Sequence, residues 1–210
     1  MLHSQRGGES FVLIDLGCGD GSSYDSFCEL GNNLHWVGLD ISDSPEVRLR
    51  NRRDAQFCTY DGRHIPLASC SVDMVYSHQV FEHVRHPQEV LLETHRILKE
   101  GGCLVGSTSH LEPFHSRSYW NYTPFGFCAL LQAAGFRDIT VRPGIDGPTL
   151  IFRRLLAYVR CAKALDGFFE RESPLNLMIE GLGRLCGASV PRINSVKLIF
   201  CGQFVFTAKK

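Results

Sequence analysis

Phe11-Val12-Leu13-Ile14-Asp15-Leu16-Gly17-Cys18-Gly19-Asp20-Gly21 is the stretch on which the fold turns. An apolar run that ends in a cluster of glycines reads as a strand buried on both faces, and such strands belong to parallel sheets. The glycines let the chain turn sharply after the strand and let a ligand approach the backbone closely.

The same beat continues downstream. Residues 22–30 read as a helix, Gly31-Asn32-Asn33 as a turn and residues 34–40 as the second strand. Ser44 is a suitable cap and Pro45 a suitable first-turn residue for an arginine-rich helix running to Arg53. Residues 55–60 and 72–77 supply the third and fourth strands. Residues 87–99 form an amphipathic helix that Gly101-Gly102 should end, followed by a fifth strand over 103–108. Residues 123–134 read as a helix stopped at Gly135, and 139–142 as the sixth strand. After Pro143-Gly144 the pattern changes to two apolar helices, 150–169 and 174–186, before a long final strand over 196–208 with a bulge at Gly202. Alternating strands and helices predict an α/β chain, a doubly wound sheet covered on both faces. The expectation is one domain over 1–210, with 149–195 a helical insertion or cap.

Composition narrows the function. The 210 residues carry 22 Lys+Arg against 22 Asp+Glu, so no basic excess steers the chain to nucleic acid. Nine cysteines, an odd number and never closer than ten residues, contain no Cys-x-x-Cys pair and fit a reducing, cytoplasmic setting. His78 and His83 have no clustered cysteines or carboxylates around them, so no metal is expected. No apolar run has the length of a membrane span and no secretory leader is evident, which predicts a soluble protein. Residues 150–169 carry Arg153, Arg154, Arg160 and Lys163, so membrane-surface association through that helix is weighed against packing on the domain. The sequence does not give an oligomeric state.

In open α/β sheets ligands bind beyond the carboxyl ends of the strands, where the strand order reverses. The glycines after the first strand are one residue short of Gly-x-Gly-x-x-Gly, because Ser22 stands where the third glycine belongs. Asp15 would repel a pyrophosphate but suits an ammonium group. Both features disfavour a nicotinamide-dependent oxidoreductase. Asp40, 21 residues beyond Gly19, ends the second strand where a carboxylate can accept from both hydroxyls of a ribose. Asp61-Gly62 ends the third strand where an adenine amino group can be read, although a short acid there also serves as a turn cap.

With these residues in place, the sequence resembles the class I S-adenosylmethionine-dependent methyltransferases with small-molecule acceptors. Residues 12–21 resemble the family's first motif, Gly38-Leu39-Asp40-Ile41-Ser42 its second-strand acid, and residues 71–77 with Phe81-Glu82-His83-Val84 its fourth strand and the segment after it. Residues 93–102 resemble its characteristic helix ending, with Glu100 where proline is usual. The resemblance implies a seven-stranded Rossmann-like sheet, mostly parallel with an antiparallel last strand. It implies that Asp15, Gly17, Cys18 and Gly19 line the methionine part of S-adenosylmethionine, Asp40 and Ile41 its ribose, and Asp61 and Gly62 its adenine. Ser77, His78 and Gln79 would flank the sulfonium and the acceptor, and S-adenosylhomocysteine would be the product.

Methyl transfer is an in-line displacement that depends on alignment and desolvation, and only some acceptors need a base. His78, His83, His110 and His115 follow the fourth and fifth strands; His83 and His115 are the first candidates for proton acceptor, each with a structural hydrogen bond as the alternative. The aromatic and polar segment 110–123 reads either as an acceptor wall, with Arg117 holding an anionic group, or as a hydrophobic lid. Acceptor candidates are a sugar, a glycan precursor or a secondary metabolite. The absence of an Asn/Asp-Pro-Pro-Tyr-like motif after the fourth strand argues against methylation of base or amide nitrogens. The competing reading is a non-catalytic scaffold that binds the same cofactor.

Overall fold

The computed structural model describes residues 10–31, 33–112, 117–156 and 173–210. β1 (Phe11–Leu16) is an interior strand, third from one edge, of a seven-stranded sheet. It pairs in parallel with β2 (Leu34–Ile41), which in turn pairs with β3 (Gln56–Tyr60). On its other side are β4 (Val72–His78) and β5 (Leu98–Ser109), also parallel. β7 (Gln203–Lys209) runs antiparallel between β5 and β6 (Arg137–Pro143), giving the order β3-β2-β1-β4-β5-β7-β6. The expected sheet, mostly parallel with an antiparallel last strand, is present.

Alternation along β1 sends its side chains to two cores. Ile14 and Leu16 join Leu39, Val75 and Leu104 on one face, while Leu13 packs with Cys18 and Trp36 on the other. Asp15 follows Leu13 onto that second face, where the Ser23 hydroxyl of α1 (Ser23–Cys28) donates to its carboxylate. At the far end of the first face, Phe81, Phe127, Phe204 and Phe206 are fully buried, with the Phe127 and Phe206 rings 4.7 Å apart. That cluster fixes the segment after β4 against α4 (Pro124–Ala133) and β7.

Four expectations change. The helix expected from Ser44 to Arg53 is a single turn, α2 (Pro45–Arg48), capped by Ser44 Oγ accepting from Val47 N–H at 3.2 Å. It has no apolar stripe to extend it, and Arg50 and Arg52 are engaged by Gly19 and Asp25 instead. α3 (Pro87–Ile97) stops before the glycine pair, because Leu98 is already extended and paired with Val72; residues 99–102 form a bulge at the start of β5. Residues 196–199 are helical rather than strand, the last turn of α7 (Val190–Ile199), in which Pro191 occupies the first turn and Ile193 is buried. Gly202 precedes β7, and a side chain there would meet Leu150 at 2.8 Å, so this glycine marks a close helix approach and not a bulge.

Between β6 and β7 lie α5 (Gly147–Leu156), α6 (Pro174–Leu185) and α7. α5 buries Thr149 and Leu150 and exposes Ile151, Phe152 and Leu155. Residues 157–169 of the expected long helix lie outside the described residues. Among the described residues no helix is long and apolar enough to cross a membrane.

Candidate functional site

A cleft of about 670 Å³ opens beyond the carboxyl ends of β1 to β4, where the strand order departs in both directions from the centre. Gly17 and Gly19 form its floor with φ of +76° and +54°. A Cβ on Gly17 would lie 2.3 Å from a methyl of Val80, so only glycine lets the β1 loop lie against the segment that follows β4. Gly19 is held from both sides. Its N–H donates to Asp40 Oδ2 at 2.7 Å, and its carbonyl accepts from Arg50 Nε at 2.9 Å, with the Arg50 guanidinium 3.8 Å over the Phe57 ring. Asp40 Oδ1 also accepts from Ile41 N–H at 2.7 Å. Burial raises the Asp40 pKa, opposed by those two N–H donors and the Arg50 charge.

Of the residues picked out from the sequence, Gly17, Gly19, Asp40, Ile41, Asp61, Gly62 and His83 line this cleft. Asp15, Cys18, Ser77 and His78 are not among its lining residues. Asp15 sits in the second core; burial lifts its pKa to about 6 against the Ser23 hydrogen bond, and the Asp40 charge adds to the rise. Burial and then the Asp15 charge push the Cys18 thiol to about 12, which fits a small core residue. Ser77 is fully buried, and His78 turns its Nδ1 to Ser107 Oγ at 2.8 Å. Gln79 does reach the cleft, in a left-handed conformation with φ of +54°.

Asp61 combines both of its readings. It faces the cleft, yet its carboxylate accepts from Arg63 N–H at 2.8 Å and His64 N–H at 2.7 Å and pairs with the His64 ring. The His64 side chain first, then those N–H groups, hold its pKa far below the usual carboxylate range.

His83 ends a 3₁₀ turn, Phe81–His83, whose Phe81 is anchored in the aromatic core. His115 lies outside the described residues. His110 takes the structural alternative, its Nδ1–H donating to Tyr122 O at 2.9 Å. The 110–123 segment divides between wall and anchor. Arg117 and Tyr119 line the cleft, whereas Trp120 Nε1 donates to Val84 O at 2.8 Å and the buried Tyr122 donates its hydroxyl to Phe81 O at 3.2 Å.

Sequence reading missed Glu46, Tyr60, Arg63, Arg85 and His86 as lining residues, and Arg50 as the clamp on the loop. The arginine-rich 48–53 segment was visible, but the partner of Arg50 lies 31 residues away and no local pattern names it. The α5 to α7 helices contribute no lining residue to the cleft among those described.

Residues 14–106 match the family described as a methyltransferase domain. A Mycolicibacterium smegmatis protein named "Probable S-adenosylmethionine-dependent methyltransferase" is 29% identical over 140 residues, which is 59% of this chain and 51% of that protein. A Ruegeria pomeroyi ubiquinone biosynthesis O-methyltransferase is 30% identical over 117 residues, 53% of this chain and 46% of that protein. The chain thus spans about half the length of these relatives. Among solved structures, a Mesorhizobium loti S-adenosylmethionine-dependent methyltransferase superposes with a TM-score of 0.57 at 17% identity, covering 96% of this chain and 92% of that one. Haemonchus contortus phosphoethanolamine N-methyltransferase 2 superposes with a TM-score of 0.60 at 18% identity, over 96% of this chain and 49% of that one. At these identities the superpositions establish a shared fold.

Proposed function

We propose that this chain is a class I S-adenosylmethionine-dependent methyltransferase that transfers a methyl group from S-adenosylmethionine to a small-molecule acceptor. The observation that carries the reading is the clamped glycine loop, with Gly19 N–H on the Asp40 carboxylate at the mouth of β1 and β2. The lining fits the cofactor. Gly17 and Gly19 leave bare backbone, and Asp40, Asp43 and Glu46 place acidic groups where a cationic ligand is favoured and a pyrophosphate is not. Asp40 and Ile41 would hold the ribose, Asp61 and Gly62 the adenine edge. The bound cofactor supplies an electrophilic methyl on a sulfonium.

This chain's own part is alignment and water exclusion, the sources from which such a displacement draws its acceleration. His83 is the group we assign to take a proton from a hydroxyl or amine acceptor, since it lines the cleft beside Val80 and Val84. The names of the ubiquinone biosynthesis relatives support an oxygen atom on a small molecule as the acceptor. Residues 149–195 remain, in this reading, an insertion on the common fold.

Calorimetric titration with S-adenosylmethionine, S-adenosylhomocysteine and NADH tests the assignment. The sulfur nucleosides should bind and NADH should not. Asp40→Ala should weaken nucleoside binding by about 1.5–3 kcal/mol, the worth of hydrogen bonds to a charged group. Tight NADH binding, or affinity indifferent to Asp40→Ala, would sink the reading.

A further inference from the structure

The charges around the cleft are segregated. The ends of β2 and β3 contribute Asp40, Asp43, Glu46 and Asp61, with Arg63 the exception among them, whereas the segments after β4 and β5 contribute His83, Arg85, His86 and Arg117. The acidic side suits the cationic cofactor, which leaves the basic side facing whatever shares the cleft with it.

The three arginines of the lining are not equivalent. Arg63 is committed, bonded to the His86 ring at 2.7 Å and paired with Glu89 at 3.5 Å. Arg85 is exposed and, among the described residues, has no ion-pair partner. Arg117 reaches across the mouth to Asp43 at 3.3 Å, with side chains 64% and 60% exposed. Water screens a pair so open, and it contributes little. Asp43 also holds Arg48, so it would not be left bare if Arg117 let go.

The segments that carry Arg85 and Arg117 are tied together. Tyr119 N–H donates to Glu82 O at 2.7 Å, and Trp120 Nε1 donates to Val84 O at 2.8 Å, which ties the segment carrying Arg117 to the segment carrying Arg85. Two guanidinium forks on tethered segments of one rim offer the donors that a planar or tetrahedral oxyanion takes. Tyr119, 54% exposed on the same rim, adds an aromatic surface beside them.

We infer that the acceptor carries an oxyanion, a carboxylate or a phosphate monoester, held by Arg85 and by Arg117 after Arg117 exchanges Asp43 for the ligand. The inference rests on the methyltransfer reading for the word acceptor, but the anion site itself is testable separately. Arg85 and Arg117 would act as binding and positioning residues, away from the reacting atoms.

The test uses the full chain, first titrated with S-adenosylhomocysteine and then, saturated with it, with benzoate, phenyl phosphate and the neutral probe benzyl alcohol. One or both oxyanions should bind and benzyl alcohol should not, the preferred anion naming the carboxylate or phosphate class. Arg85→Gln and Arg117→Gln should each weaken that binding about 10-fold or more, as loss of a charge-assisted hydrogen bond does, with unchanged thermal midpoints. Asp43→Asn should strengthen it a few-fold by removing the competing carboxylate. Equal binding of the neutral probe, no binding of either oxyanion, or indifference to both arginine substitutions would overturn the inference. Failure of the first titration alone would instead strike the methyltransfer reading, and the same probes on the unsaturated protein would still decide the anion site.

Discussion

On the cleft wall formed by the ends of β1 and β2, the backbone makes the site. Two glycines at positive φ, a carboxylate on one N–H and a guanidinium on one carbonyl define the surface a ligand meets. On the wall formed by the segments after β4 and β5, side chains make it: His83, Arg85, Arg117 and Tyr119 project from irregular chain that is itself pinned through Glu82, Val84 and Phe81. The first wall is held by close hydrogen bonds within the fold, Gly17 N–H on Leu39 O, Gly19 N–H on Asp40 and Arg50 on the Gly19 carbonyl. The second is exposed and holds a weak ion pair, so in the proposed reading it is the wall that meets the acceptor.

The largest way to separate the two walls is His83→Ala. If His83 takes the acceptor's proton, turnover falls by about 10²–10⁴-fold, as loss of a general base does, while S-adenosylhomocysteine affinity holds. An equal loss in both would move His83 to the cofactor wall. Gly17→Ala tests the first wall in the opposite sense. The left-handed backbone and the 2.3 Å approach to Val80 together should lose about 3 kcal/mol of nucleoside affinity or fold stability. Adding Val80→Ala should recover only the steric part, and full recovery would show that φ carries no cost there.

Asp15 gives the next effect. Its folded pKa, lifted by burial to about 6 from 3.8, means that the native state keeps this proton after the unfolded chain has lost it. Stability therefore falls as pH rises from about 4 through 6, by about 3 kcal/mol at the two-unit shift. Asp15→Asn should remove that slope in urea denaturation at pH 4 and pH 8; an unaltered slope would mean that another group carries it. The smallest effect is expected on the second wall, where Asp43→Ala should leave the thermal midpoint unmoved in both low and high salt, because its partners Arg48 and Arg117 are solvated.

Legibility in the sequence follows the same division. β1, the glycine loop and Asp40 could be read because each depends on its neighbours in the chain: an apolar run, a turn that needs φ above zero, an acid at the end of a strand. The strand order and the antiparallel β7 followed from the family resemblance. The misreadings arose where tertiary contacts overrule local pattern. Residues 196–199 look like the start of a strand, but a first turn begun by Pro191 and the burial of Ile193 hold them in a helix. Arg50 and Arg52 belong to a segment with helical residues, yet their partners lie in the β1 loop and α1.

By itself the sequence determined an α/β chain with a glycine loop at β1 and an acid at β2, because those features are set by backbone conformation and by spacing along the strand. Only the tertiary structure decided that Asp15 and Cys18 turn into the core while Gly17, Gly19 and Asp40 face the cleft, that His110 is structural, and that Arg85 and Arg117 share a rim. Side-chain direction on irregular segments is fixed by what packs beneath them, here the Phe81, Phe127 and Phe206 cluster, and that information is distributed over residues far apart in the chain.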